Sequence, residues 1–444
     1  MTINMPDGAL EIIQRLENAG YPAYLVGGCV RDSLLGATPK DWDICTAASP
    51  TQVLSCFPYE KSVKVGLKHG TVAIVLADGA YEVSTFRAAE WGKAGEKVRV
   101  EDDLAVRDFT INAMAYNPTV GLIDPFWGQW DLANGTIACT GNPTFRFTED
   151  PLRVFRAIRF SAEYGFIIAP RTAKSIKEFA PLLKNVSAER IQKELVKTLG
   201  GVNFLSTFLL YPSVFSSIIP ELEPCIGFQQ NNPWHIYDVY VHMGWAVTSY
   251  GGNDLAVKLA LLLHDLGKPS CYIEDENGVG HFPRHGEVGR AIAGKILRRL
   301  RFDNKTIQTV QELVLYHDVE LQITLKNVRR WLNRIGETRL RQLIEVKRAD
   351  SLAQSQEKAG PVLESLDKFS SLMEQVIAEK QCFSIQDLEI SGNDLLSLGI
   401  PQGKQLGEIL KKLTGEVVDG TLENRREALI DRAKKTYVRI ISAG

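Results

Sequence analysis

Tyr24-Leu25-Val26-Gly27-Gly28-Cys29-Val30-Arg31-Asp32-Ser33-Leu34-Leu35-Gly36, followed closely by Asp41-Trp42-Asp43-Ile44, is the stretch on which the reading of this chain turns. Its apolar start, Gly-Gly pair and helix-spaced continuation predict a strand, a tight turn and a helix beginning near Val30. Glycines let a backbone approach a ligand closely, the free N–H groups of a helix start suit phosphate, and Arg31 adds a fork-shaped cation. Alone, such a turn reads better as an ordinary strand-to-helix connection. The downstream aspartates shift the balance. Alternate side chains of an extended strand share a face, so Asp41 and Asp43 are expected to point one way and Trp42 into the core. Two carboxylates held together attract a cation. Hard oxygen ligands suit Mg²⁺, and a pair of such ions can activate an attacking hydroxyl and stabilise a leaving pyrophosphate.

Outward from this stretch, short β-rich runs such as Ala23–Val26 and Thr71–Leu76 mix with helical ones, an α+β pattern. From about Asp150 strand signals nearly vanish and apolar residues recur at helical spacing, as in Leu152, Phe155 and Ile158 and in Leu259, Leu262, Leu263 and Leu266. The 444 residues, 45% hydrophobic and 23% charged, suffice for several buried cores. A net charge of −2 excludes a protein that coats nucleic acid indiscriminately, so such a partner must meet local basic patches. The seven scattered cysteines contain no Cys-x-x-Cys pair and read as reduced core thiols. With no membrane-length apolar run and no signal-like start, the expected location is the cytoplasm and no membrane partner is expected.

The run Gly27-Gly28-Cys-Val-Arg31-Asp32 with Asp41-Trp-Asp43 resembles the first signature of the class II (bacterial-type) CCA-adding tRNA nucleotidyltransferases and bacterial poly(A) polymerases of the polymerase β superfamily. The resemblance extends over nearly the whole chain. It implies that Asp41 and Asp43 hold catalytic Mg²⁺, that Gly28 and Arg31 contact the triphosphate, and that Glu82 supplies a third carboxylate. Two further motifs match: Arg107-Asp108-Phe-Thr-Ile-Asn112, and Glu149-Asp150-Pro-Leu-Arg153-Val-Phe-Arg156-Ala-Ile-Arg159. In the first, Asp108 and Asn112 suit the ribose and Arg107 a phosphate or sugar; Val106 stands where many members have another arginine.

The second motif opens a helix whose arginines form a slowly rotating stripe, with Val154, Phe155 and Ile158 facing the core. Cytosine and adenine share an edge, an exocyclic amine beside a ring-nitrogen acceptor, so Asp150 can accept from the amine while Arg153 donates to the ring nitrogen. Guanine and uracil would leave a buried carboxylate facing an acceptor, a costly mismatch. The resemblance implies this role, with Arg156 and Arg159 also contacting nucleotide.

Six of the seven histidines crowd between 235 and 317, leaving only His69 earlier. His242, Leu263-His264-Asp265-Leu-Gly-Lys268-Pro, His285-Gly-Glu and His317-Asp318 resemble the HD superfamily of metal-dependent phosphohydrolases. That implies a transition-metal site on His242, His264, Asp265 and Asp350, and a phosphatase or 2′,3′-cyclic phosphodiesterase side activity. The tail Gly392-Asn-Asp394-Leu-Leu-Ser-Leu-Gly399-Ile-Pro-Gln-Gly403-Lys404 resembles the segment that grips the tRNA elbow in CCA-adding enzymes.

The resulting expectation is a nucleotidyltransferase head over residues 1–142, a base-reading helical neck over 143–220, an HD-type helical domain over 221–350 and a tRNA-binding helical tail over 351–444. Its activity would be addition of C, C and A to the tRNA 3′ end from CTP and ATP, without a nucleic-acid template. Three alternatives stand beside it: a CC-adding enzyme, because the segment 88–101 looks short for a CCA-adding one; a bacterial poly(A) polymerase; and an HD phosphohydrolase with a tRNA-binding head.

Overall fold

The computed structural model describes residues 2–63, 70–87 and 98–442. His69 and most of the short segment 88–101 therefore lie outside the described residues. The fold is α+β, and it divides into two compact units between Pro220 and Glu221.

The first unit is built on strands β1 (Ala23–Val26), β2 (Asp43–Thr46), β3 (Lys61–Val63), β4 (Thr71–Leu76), β5 (Gly79–Thr85), β6 (Ala115–Asn117) and β7 (Gly121–Ile123). They form one sheet in the order β3-β4-β5-β2-β1-β6-β7. Among the described residues of this sheet only β2 and β5 pair in parallel, in a register that sets Asp43 opposite Glu82. Side chains alternate as the pleat requires: in β5 Tyr81 and Val83 are buried and Glu82 is exposed. Helix Asp7–Asn18 lays Ala9, Ile12, Ile13 and Leu16 against the sheet, an apolar stripe at helical spacing.

Two local expectations need correction. The helix after the turn begins at Gly28, not Val30, because Gly27 alone supplies the positive φ (77°) that turns the chain. The strand begins only at Asp43; Asp41 sits in an exposed bend before it, and Trp42 is half-buried rather than in the core.

Helices Pro143–Glu149, Leu152–Tyr164, Pro170–Phe179, Ala188–Leu199, Phe204–Leu210 and Pro212–Ile218 complete this unit. Asn142 caps the first of them through the Thr144 N–H. Val154, Phe155, Ala157 and Ile158 are fully buried, and Leu152–Tyr164 packs along Ala188–Leu199. Phe155, Phe204 and Phe208 meet Phe215 edge to face.

Among the described residues, the strands of the second unit are the two-residue pair Ile273–Glu274 and Gly280–His281, and its other regular elements are helices. Asp238, Asp254 and Asp303 cap the helices Val239–Ser249, Leu255–Leu263 and Asn304–Tyr316. Residue 350, read as the end of the HD-type domain, falls inside helix Leu325–Leu352, which packs against Gln356–Ala378. The tail helices Gly392–Ser397, Lys404–Val418 and Arg426–Ser442 close on Leu395, Ile400, Ile409, Leu413 and Leu429. Among the described residues no helix is long and apolar enough to cross a membrane.

Candidate active site

The Gly27 turn is seated by its N–H on Met114 O at 3.2 Å, and a Cβ there would meet Arg107 Nη1 at 3.0 Å. A side chain at this position would therefore displace the guanidinium beside it. Beneath the turn Cys29 and Cys45 are buried, and Cys29 Sγ faces the Asp43 carbonyl at 3.8 Å. Burial raises the Asp43 carboxyl to about 6; Glu82 and Asp41 push the same way, against Arg107 and Arg87. Like charges that drive one of their number toward protonation are what a divalent cation relieves, and Asp43 has Glu82 opposite it in the sheet, while Asp41 stands in the bend before the strand and the three are not gathered as tightly as a formed metal cage.

Behind them runs a lattice of alternating charge. Asp103 is wholly buried and accepts from Arg87 N and Nε at 3.1 and 3.0 Å and from Arg107 Nε and Nη2 at 3.0 and 2.7 Å. Arg31 is buried too: Nη1 donates to Asn112 Oδ1 at 2.5 Å, Nε and Nη2 donate to Asp32 Oδ1, and the guanidinium lies near the rings of Phe160 and Tyr164. Asn112 Nδ2 passes to Asp108 Oδ1 at 3.0 Å, and Asp108 Oδ2 receives Arg156 Nε at 2.7 Å. Burial raises Asp108, but the Arg156 charge and the hydrogen bonds from Asn112, Arg156 and the Phe109 N–H win and hold it at about 2.

A cavity of about 470 Å³ opens beside this lattice, lined by Arg87, Arg107, Asp108, Asp150, Arg153, Arg156, Arg190, Lys193 and Glu194 among others. It gathers Arg107, Asp108, Asp150, Arg153 and Arg156 of the motif residues. Asp150 is gripped by Arg190, whose Nη1 and Nη2 reach its two oxygens at 3.2 and 2.7 Å. Arg153 donates to Glu149 Oε2 at 2.7 Å and to Val106 O at 3.1 Å.

Arg159 lies outside this cavity. It donates to Glu194 and Glu163 at 2.7 Å each and lies over the Phe160 ring. Three residues advance a helix by about 300°, so arginines at this spacing drift roughly 60° each and the third leaves the face of the first. Arg190, Lys193 and Glu194 were missed in the sequence; on Ala188–Leu199 they carry no motif, and only packing brings them in.

In the second unit His242, His264 and Asp265 bring ligand atoms within 4.8 Å of one another, all buried. Asp350 Oδ1 stands 2.8 Å from His242 Nε2 and 3.6 Å from His264 Nε2. Asp265 Oδ2 is paired with Lys268 Nζ at 2.7 Å and lies 3.2 Å from His264 Nε2. A buried carboxylate among imidazole nitrogens offers the donor set that suits a transition metal.

Comparison with known proteins places these features in a family. The profile described as "Poly A polymerase head domain" matches residues 23–138, "Probable RNA and SrmB- binding site of polymerase A" matches 165–224, and "tRNA nucleotidyltransferase domain 2 putative" matches 287–433. A CCA-adding enzyme of Enterococcus faecalis is 33% identical over 96% of this chain and 95% of its own. One from Geobacillus stearothermophilus is 46% identical over 44% of this chain and 49% of its own. The solved Bacillus stearothermophilus CCA-adding enzyme in complex with CTP superposes with a TM-score of 0.70 at 27% identity, covering 99% of this chain and 100% of that one. With that end-to-end match and a head of the same fold, the chain belongs to the CCA-adding enzymes, nucleotidyltransferases whose family uses divalent metal.

Proposed function

We propose that this protein adds C, C and A to the 3′ end of tRNA from CTP and ATP in the cytoplasm, reading each incoming base with protein groups instead of a template. The observation that carries this reading is the cavity in which Asp150, Arg153 and Arg190 share walls with Asp108 and Arg107. Arg107 also bears electrostatically on Asp43, so base-reading groups and the head carboxylates lie in one field.

Asp41 and Asp43, with Glu82, would hold Mg²⁺, which when bound sharpens the attacking hydroxyl and stabilises the leaving pyrophosphate. The chain's own groups bind and orient. Gly28 offers backbone close to the triphosphate, and Arg31, fixed by Asn112 and Asp32, keeps the turn and the ribose-facing pair Asp108 and Asn112 in register. Asp150, aimed by Arg190, takes the exocyclic amine, and Arg153 gives a proton donor to the ring nitrogen. Arg156 fixes Asp108, while Arg159 fixes Glu194, which also faces Arg156 at 3.6 Å. In the second unit His242, His264, Asp265 and Asp350 would hold a transition metal.

The test uses tRNA lacking its 3′ end, with CTP and ATP supplied separately and together and products resolved to one nucleotide. Wild type should stop after C, C with CTP alone and finish with both. Asp41→Ala or Asp43→Ala should lose about a thousandfold or more in rate while still binding tRNA. Near-normal incorporation by either variant at physiological Mg²⁺ overturns the assignment of these carboxylates.

A further inference from the structure

Asp103, in helix Val100–Ala105, is a fully buried carboxylate with both oxygens committed to arginines. Its Oδ1 accepts from the Arg87 backbone N–H at 3.1 Å and from Arg87 Nε at 3.0 Å, and its Oδ2 accepts from Arg107 Nε at 3.0 Å and Nη2 at 2.7 Å. Burial raises Asp103, but the Arg107 and Arg87 guanidiniums outweigh it and hold the carboxyl below its usual range. One carboxylate thus serves two cations. The next one along the lattice, Asp108, is already taken by Arg156 Nε at 2.7 Å, so a positive charge is left in surplus around Asp103.

The way the arginines are held decides which of their hydrogens remain. A guanidinium carries five N–H donors in a fixed fork. Toward Asp103 the Arg87 side chain spends only Nε, and Arg107 spends Nε and Nη2; among the described residues no further acceptor meets either group. What is left are the outer edges. Both Nη atoms of Arg87 are free on a side chain that is 45% exposed, and Arg107 Nη1 stands at the Gly27 turn, 3.0 Å from where a Cβ on that glycine would lie. Both arginines line the cavity of about 470 Å³, while Asp103 lies buried behind them and does not reach it. Paired N–H groups on a fixed cation match the oxygens of a phosphate.

We infer that Asp103 is a positioning residue for the triphosphate of the incoming nucleotide: it fixes Arg87 and Arg107 by their inner edges and leaves their outer N–H groups for phosphate oxygens. The inference rests on the reading of this cavity as the nucleotide site and adds Arg87 as a triphosphate contact and Asp103 as the group that aims both arginines. Asparagine at 103 separates this from mere space-filling. It keeps the shape, but one oxygen becomes an amide that only donates, so donor faces donor and one guanidinium loses its anchor.

The test titrates full-length protein calorimetrically with CTP and with inorganic tripolyphosphate, a probe that has neither base nor ribose. Asp103→Asn should weaken both by about tenfold or more, and raise KM for CTP and ATP to match. Its affinity for tRNA lacking the 3′ end and its preference for C and A over U and G should stay those of wild type. Unchanged tripolyphosphate affinity in folded Asp103→Asn overturns the positioning role, and so does a loss spread equally over tRNA affinity and base preference, which marks a generally disturbed head. Where Asp103→Asn fails to fold, Arg87→Ala decides: it should also weaken tripolyphosphate, and wild-type affinity there overturns the inference. Absence of CTP binding by wild type instead overturns the reading of the cavity on which the inference rests.

Discussion

A carboxylate stripped of water stays ionised only where donors outweigh the loss, and Asp108 is held at about 2 by Arg156, Asn112 and the Phe109 N–H. Its folded pKa lies below the unfolded value, so its stabilisation is present above about pH 4 and is lost as pH falls toward 2. That stabilisation amounts to about 2 kcal/mol, of which about 1 kcal/mol is gone by pH 3. Urea unfolding of wild type and Asp108→Asn should therefore show a stability gap that narrows by about 1 kcal/mol between pH 5 and pH 3. A gap independent of pH would remove the pairing with Arg156. Around Asp150 the expectation is kinetic: Arg153→Ala should cost roughly 1–3 kcal/mol of discrimination for C and A over U and G in single-turnover competition. Arg190→Ala should also lower discrimination, since it removes the group that aims the carboxylate, yet as an exposed pair it should cost under about 1 kcal/mol of stability. Unchanged selectivity in both variants would remove base reading from this cavity. Asp150 and Arg153 were legible because they sit in one motif; Arg190 was not, because a lone arginine on an amphipathic helix reads as solvated surface.

Among the elements, helix His285–Arg299 brings His285 to 3.7 Å from Asp265 Oδ1. It can approach the turn after His264 only because Gly267 has no side chain: a Cβ there would fall 2.3 Å from His285 O and 2.9 Å from Gly289 N. Gly267→Ala should cost about 1–3 kcal/mol through overpacking and, by shifting His285, lower the metal content of the unit. Wild-type metal content in a destabilised variant would show that the helix absorbs the strain without moving its histidine. Element types were readable from composition and periodicity, as with the β-rich run Thr71–Leu76 that becomes β4 and the stripe of Leu152, Phe155 and Ile158. Element ends were not. Alternation in Asp41-Trp42-Asp43 extends a strand as far as the pattern runs, whereas the sheet takes it up only where β5 offers a partner, opposite Asp43.

The head carboxylates lie before Pro220 and the histidine cluster after Glu221, so the two proposed sites stand on separate units. His264→Ala should thus lose transition metal yet keep nucleotide addition; equal loss of both in a folded variant would show that the two sites depend on each other. The cluster was visible in part: His242, His264, Asp265, His285 and His317 were read together in the sequence, but only His242, His264, Asp265 and Asp350 as ligands, and it is the folded chain that sets His285 and His317 beside Asp265. The buried thiols beneath the catalytic turn have a use of their own. Burial raises Cys29 to about 11 and drives Cys45 higher still, so neither is a nucleophile at neutral pH while the sheet is closed. Iodoacetamide should reach the half-exposed Cys56 and Cys271 first, and Cys29 and Cys45 only when β1 and β2 part. Their alkylation, followed by mass spectrometry, is a clock for how often the centre of the head opens, and bound nucleotide should slow it.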